Sequence, residues 1–316
     1  MERNQPLIIQ IMKTNPLIKS CSPCLAAFVG ALLLLAFNVQ AQTLFVANWY
    51  DPGAIYEFTP GETPATVYSG DLGEPEGLAF DNSGDLFVAD SYVGSIYKIT
   101  PGGTQTTFAY GFGDINSLAF NTAGDLFASD YSNGHIYEFT PGGSQSVFAS
   151  GLDLPGGLAF NAAGDLFVSD KSGHVYEYNQ NGTPISIFAS GLVNPFAMAF
   201  DGSGNLYVGY SGSGSGSGGI DKITPGGVVS PFATDLANPN YLAFDSAGDL
   251  FLANGTSGVD EFTPSGTEST IATGLGNATG LAIEGQTLPV PEPSAWALMA
   301  AGIGVWFGWH RKHSRS

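Results

Sequence analysis

Cysteine is almost missing from this sequence: two in 316 residues, Cys21 and Cys24. Their C-x-x-C spacing suits a redox or metal pair, but both precede an apolar run in a segment expected to be cleaved away. A lipoprotein cysteine would follow that run, so this reading fails as well. The body is left without a disulfide, and packing alone must stabilise it. Positive charge is nearly as scarce. Across residues 42–286, three lysines (Lys98, Lys171, Lys222) stand against 26 acidic residues, a formal charge of −23. Nucleic-acid binders need a basic stripe, so that partner class is excluded, and so is docking on anionic lipid. The acidity serves solubility outside the cell and offers multivalent cations a diffuse surface. Long apolar runs are also lacking. The two candidates, residues 25–37 and 295–309, fall short of the roughly 20 residues that span a bilayer.

What is present is a repeat. The run LAF, or a near variant, begins at Leu78, Leu118, Leu158, Met198, Leu242 and Leu281, at spacings of 40, 40, 40, 44 and 39 residues. Each unit carries four short apolar runs separated by glycine-rich turns, too short for helices and suited to antiparallel strands. A period near 40 with four strands is the mark of a β-propeller blade. The Pro-Gly-Gly between the third and fourth runs predicts a type II turn. The alanine of LAF (Ala79, Ala119, Ala159, Ala199, Ala243, Ala282) is expected to let blades approach near the axis, with the flanking Leu and Phe on the opposite sheet face. The glycine–serine stretch at residues 211–219 accounts for the 44-residue spacing and reads as a lengthened loop.

The first repeat-like run, from Thr43, matches strands two to four only, whereas the last, LAIEG from Leu281, matches strand one only. The two fragments complete one another. The expected fold is therefore all-β: a six-bladed propeller of four-stranded antiparallel blades, its ring closed by the C-terminal strand. Residues 1–41 read as a signal peptide, with Arg3, Lys13 and Lys19 before the apolar run and Val39-Gln40-Ala41 as the cleavage site. Met1 and Met12 are both acceptable starts.

Residues 287–316 hold a spacer, VPEPS, an apolar helix-forming run and the tail HRKHSRS. This resembles the PEP-CTERM sorting signal. The resemblance implies recognition of Pro291, Glu292 and Pro293 by an exosortase-type membrane protease, transient membrane association, and a link with exopolysaccharide. Arg311, Lys312 and Arg315 would stay cytoplasmic while the body is exported.

Two sets of loop residues are candidates for a site. Two positions before each LAF stand Glu76, Asn116, Gly156, Phe196, Asn240 and Thr279. After the second strands come Asn48, Asp90, Asp130, Asp170, Tyr210 and Asn254, which are expected to cap loops. The turns beginning at Asp81, Asp201 and Asp245 lack the spacing of calcium loops and read as hairpins. His135 and His174 have no placed nucleophile or carboxylate and make no triad. From GLAFDNSGDLFVADSYVGSIYKITPGG at residues 77–103 and its copies, the body resembles NHL-type propellers and the gluconolactonase-like superfamily. That resemblance implies a divalent metal at the channel mouth, for which Glu76, Asn116 and Asn240 are the matching residue types. A calcium-like ion is the only cofactor suggested. No second carboxylate and no acid/base aspartate accompany them, so no catalytic residue is assigned.

The expectation is an exported, cell-surface or extracellular-matrix propeller that binds a glycan or an envelope protein without catalysis. The competing expectation is a divalent-metal-dependent hydrolase or lactonase.

Overall fold

Each repeat folds as one small sheet because its apolar runs are only four to eight residues long and every connection is a turn. The computed structural model describes residues 42–49, 53–58, 66–212, 217–255 and 258–285. The signal-peptide, sorting-segment and C-terminal-helix expectations lie outside these residues, as does the centre of the glycine–serine loop. Among the described residues no helix is long and apolar enough to cross a membrane.

Blade 1 contains β1 (Leu44–Asn48), β2 (Gly53–Phe58) and β3 (Thr66–Leu72). Blade 2 runs through β4 (Pro75–Phe80), β5 (Leu86–Asp90), β6 (Ser95–Ile99) and β7 (Gln105–Tyr110). Blade 3 is β8 (Ile115–Phe120), β9 (Leu126–Asp130), β10 (His135–Phe139) and β11 (Gln145–Ser150). Blade 4 is β12 (Pro155–Phe160), β13 (Leu166–Asp170), β14 (Val175–Tyr178) and β15 (Pro184–Ala189). Blade 5 is β16 (Pro195–Phe200), β17 (Leu206–Tyr210), β18 (Gly218–Ile223) and β19 (Val229–Leu236). Blade 6 is β20 (Pro239–Phe244), β21 (Leu250–Asn254), β22 (Gly258–Phe262) and β23 (Glu268–Thr273). The last strand, β24 (Ala278–Ile283), pairs antiparallel with β1 and completes blade 1 in the order β24-β1-β2-β3. The ring therefore closes as its fragments imply.

Six hydrophobic clusters fill the six spaces between blades. One joins Phe45, Ala47 and Ile55 of blade 1 to Leu78, Leu86 and Val88 of blade 2. Its counterpart at the seam joins Leu44, Val46 and Leu281 of blade 1 to Phe251, Ala253 and Val259 of blade 6. Alternation along LAF follows expectation: Leu78 and Phe80 face blade 1, whereas Ala79 faces blade 3. An aromatic ladder accompanies this packing. Phe45–Phe80, Phe87–Phe120, Phe127–Phe160, Phe167–Phe200 and Tyr207–Phe244 meet edge to face across successive interfaces, at centroid distances of 4.9–5.1 Å. Each such pair contributes about 0.5–1.5 kcal/mol beyond its buried area.

Two local expectations need correction. The closest approach of blades falls at the position just before LAF, two residues before its alanine. A Cβ on Gly280 would overlap the Glu76 carbonyl oxygen, and one on Gly157 would overlap that of Phe196. The Pro-Gly-Gly turns are not type II. Gly103 donates to Thr100 O at 2.8 Å, and the positive φ (+77°) belongs to Gly103, not to Gly102. This is a type I turn closed by a left-handed glycine, the usual three-residue hairpin solution. The Asp81 turn is an Asx turn: its Oδ1 accepts Ser83 N at 2.8 Å and Asp85 N at 2.9 Å. Asp201 and Asp245 repeat the pattern, which commits one oxygen of each to backbone.

Candidate functional site

The loop before each innermost strand and the loop after the neighbouring strand share one face of the disc, joined by backbone bonds. Ser91 N donates to Glu74 O at 3.0 Å, Tyr131 N to Asp114 O at 2.8 Å, Lys171 N to Asp153 O at 2.9 Å and Gly255 N to Asn238 O at 3.0 Å. Buried carboxylates brace these loops. Asp90 accepts Gly73 N at 2.8 Å and Glu74 N at 3.1 Å, Asp130 accepts Gly113 N and Asn133 N, and Asp170 accepts His174 N. They cap the following loop as expected and, in blades 2 and 3, the preceding loop too. Backbone donors offset the cost of burying these charges. His135, at the start of β10, lies beside Tyr137. Contrary to expectation, His174, just before β14, has a hydroxyl and a carboxylate beside it, with Ser172 Oγ 2.6 Å and Asp170 Oδ1 3.7 Å from its Nδ1.

At the centre of this face the channel narrows to a cavity of about 10 Å³, the threshold for one water. Its lining brings Glu76, Asn116 and Asn240 together, with Ser117, Tyr241 and Thr279. The strand-one bulges, such as that between Pro75 and Leu78, turn these side chains inward. Asn240 Nδ2 donates to Ala278 O at 2.9 Å, clasping blade 6 to blade 1. Thr279 Oγ1 donates to Pro75 O at 2.7 Å, clasping blade 1 to blade 2. Ser91 Oγ reaches Glu76 Oε1 at 3.4 Å. Withdrawal from water, reinforced by the nearby Asp114 carboxylate, pushes Glu76 up to about 8. At neutral pH this carboxyl is therefore mostly protonated. Asn116, 7% exposed, has an Oδ1 with no hydrogen-bond partner, and a protonated Glu76 supplies the type of donor it lacks.

Tyr241 is what makes the cavity small. It occupies the position held by Gly77, Ser117, Gly157, Ala197 and Gly280 in the other blades. Its hydroxyl crosses the axis from blade 6 to the carbonyls of Leu118 (3.2 Å) and Leu78 (3.4 Å), in blades 3 and 2. Burial pushes its phenol up to about 12. The residue was not singled out beforehand. The available signal was one large side chain in a column of small ones. Truncating it with Tyr241→Ala is expected to cost about 3–5 kcal/mol, the range for deleting a buried aromatic ring. Tyr241→Phe should cost about 1 kcal/mol, for the hydroxyl alone. Urea denaturation of both variants checks this; equal, negligible losses would mean the ring does not hold the axis.

Beside this plug lies an open cleft of about 320 Å³, lined by Tyr131, Lys171, Asn194, Phe196, Ser211 and Asn240 among others. Phe196 and Asn240 line both spaces. Asn194 Nδ2 donates to Ser211 O at 3.3 Å, tying together two loops of the rim.

Comparison with known proteins bears on the ends and the body separately. Residues 289–312 match the PEP-CTERM protein-sorting motif. The chain carries a PEP-CTERM sorting signal. This motif implies an exported exosortase substrate with a C-terminal membrane anchor before processing. No curated protein matches the sequence. Among solved structures, the body is similar to a chain of a nidogen/laminin complex, with TM-score 0.67, 19% identity, and coverage of 77% of this chain and 98% of that one. It is also similar to a gluconolactonase from Xanthomonas campestris, with TM-score 0.53, 18% identity, and coverage of 68% and 84%. Virginiamycin B lyase from Staphylococcus aureus gives TM-score 0.52, 13% identity, and coverage of 77% and 89%. At such identities the likeness concerns the fold. Fold alone does not choose among these activities.

The metal implied by the gluconolactonase-like resemblance can be tested on the residues themselves. Calcium takes six to eight oxygens, several of them anionic. Here one carboxyl and two amides face a space at the limit for a single water. Among the described residues no group of three or more His, Cys, Asp or Glu is placed to hold a metal ion. The donor set does not fit a hydrated divalent ion.

Proposed function

We propose that this PEP-CTERM protein is a non-catalytic propeller of the cell surface or extracellular matrix, associated with exopolysaccharide, which it binds through its loop face. The observation that carries the reading is the plugged channel beside an open cleft. Tyr241 occupies the axis where a buried reaction centre would need room, whereas the cleft is open and lined with rings and amides. Sugars suit such a surface, because their C–H faces lie on aromatic rings while their hydroxyls exchange hydrogen bonds with amides. Exposed rings also stand elsewhere on this face: Trp49 is 42% exposed and Tyr92 74%, on the loops that follow the second strands of blades 1 and 2. A net charge of −19 keeps the chain soluble and leaves neutral or locally matched ligands as the natural partners.

Binding of the full-length protein on an array of bacterial polysaccharides tests the first half of the proposal. Specific retention supports it. Failure on every glycan, with capture of one envelope protein instead, would sink it. The sorting half rests on Pro291, Glu292 and Pro293. In a host with an exosortase, Glu292→Ala is expected to leave the hydrophobic segment attached, so the variant stays in the membrane fraction at higher mass. Identical mass and location for wild type and variant would show that these residues do not direct processing.

A further inference from the structure

Of the three lysines in the body, two are neutralised on the spot. Lys98 Nζ lies 2.7 Å from Asp85 and 3.5 Å from Asp81, and Lys222 Nζ lies 3.6 Å from Asp201. Both reach from a third strand to the hairpin that joins the first and second strands of the same blade. Lys171 alone makes no ion pair among the described residues. Its backbone N–H is tied to Asp153 O, so the loop carrying it is braced while its ammonium is free, and it lines the loop-face cleft. Neither the Asp153 carboxylate nor that of the adjacent Asp170 pairs with it.

The rest of the cleft argues for a particular class of ligand. Tyr131 and Phe196 supply rings, Asn194 and Asn240 supply amides, and Ser211 supplies a hydroxyl. Leu154 and Asn194, which precede Pro155 and Pro195 on this rim, hold φ values of +53° and +41°. Asp71 and Asp235, which do not line the cleft, share this left-handed backbone, so it is a feature of the turns at and after the fourth strands and not of the cleft alone. A lone ammonium beside ring faces and amides matches one carboxylate on a polyhydroxylated ring. A doubly charged phosphate would be less fully matched by this single ammonium, with no guanidinium among the lining residues. Long-range repulsion from the acidic body does not forbid this, because at physiological salt charges beyond about 8 Å are largely screened.

We infer that the cleft binds a carboxylated sugar, a uronic-acid unit of a polysaccharide, with Lys171 on its carboxylate. This inference rests on the glycan-binding reading above and narrows it.

The test titrates the full chain, by calorimetry at physiological salt, with an oligogalacturonate and with the same oligosaccharide after reduction of its carboxyl groups. The acidic form should bind about tenfold more tightly, the effect of one charge-assisted hydrogen bond. Lys171→Gln should abolish that difference, while Lys171→Arg should retain most of the preference. Lys171 is exposed, so these variants should fold. Equal affinity for both sugars, or a preference that survives Lys171→Gln, overturns the carboxylate inference but leaves glycan binding standing. No binding of either sugar by the wild type overturns the inference and counts against the wider reading.

Discussion

A chain ending before Ala278 should lose cooperative thermal unfolding altogether. The missing strand, β24, is the innermost strand of blade 1, paired with β1 from Leu44↔Ile283 to Asn48↔Ala278. Its loss exposes both neighbouring interfaces at once. Ala278, Leu281 and Ile283 belong to the cluster between blades 6 and 1, and Ala282 to that between blades 1 and 2. Full burial of a Leu or Ile side chain is worth about 1.5–3 kcal/mol, and the partners left facing water lose similar amounts. Two polar clasps go as well, Thr279 to Pro75 O and Asn240 to Ala278 O. Against a net stability of about 5–15 kcal/mol for an ordinary domain, the sum is decisive. β1 would also present an open edge, ready to pair with another chain. Calorimetry of the truncated chain should show no native transition. A melting temperature within a few degrees of the full chain would mean that blade 1 is complete without β24. Gly280→Ala probes the same seam by a point change, since its Cβ would overlap the Glu76 carbonyl oxygen.

That seam shows how much of the architecture the repeat made legible. A period near 40 with alternating apolar residues dictates blades, and complementary end fragments dictate how they close. Neither depends on fine geometry. The Pro-Gly-Gly turns do, because a left-handed glycine can stand third or fourth in such a turn, and only the backbone bond from Gly103 N to Thr100 O decides. The candidate site was legible in the same partial way. Counting two positions back from LAF placed Glu76, Asn116 and Asn240 on one face, and they do line one cavity. Nothing in that count revealed that the cavity is nearly filled. Tyr241 stands one position later in the repeat, where strand alternation alone assigns it to a blade interface; a bulge in β20, between Pro239 and Tyr241, accompanies its turn to the axis. Lys171 counts in the sequence only as one of three positive charges of the body, and its place at the cleft is visible only in the structure. It belongs to the capping-loop region by sequence, and its significance comes from what the other two lysines are doing.

Glu76→Gln should make the protein more stable above pH 8 and remove part of its pH dependence. The folded-state value of Glu76 is raised from 4.5 to about 8, first by burial and then by Asp114. A carboxyl raised in this way stabilises the fold in its neutral form. That contribution is fully present below the unfolded value near 4.5 and is lost progressively as pH rises through about 8. A shift of this size corresponds to a change on the order of 5 kcal/mol across the window, at 1.36 kcal/mol per unit. Asp114, Asp221 and Glu138 are shifted in the same direction, and the acidic body repels itself more as it ionises, so the wild type alone cannot isolate one group. The difference between wild type and Glu76→Gln can. Urea denaturation from pH 5 to pH 9 should give curves that nearly meet at the acid end and diverge towards the alkaline end, with the glutamine variant above. Glutamine keeps a donor for the orphaned Asn116 Oδ1, so the cavity need not lose its hydrogen bonding at any pH in this range. Parallel curves would show that Glu76 is ionised and solvated throughout, which would restore it as an anionic ligand and reopen the case for a metal at the channel mouth.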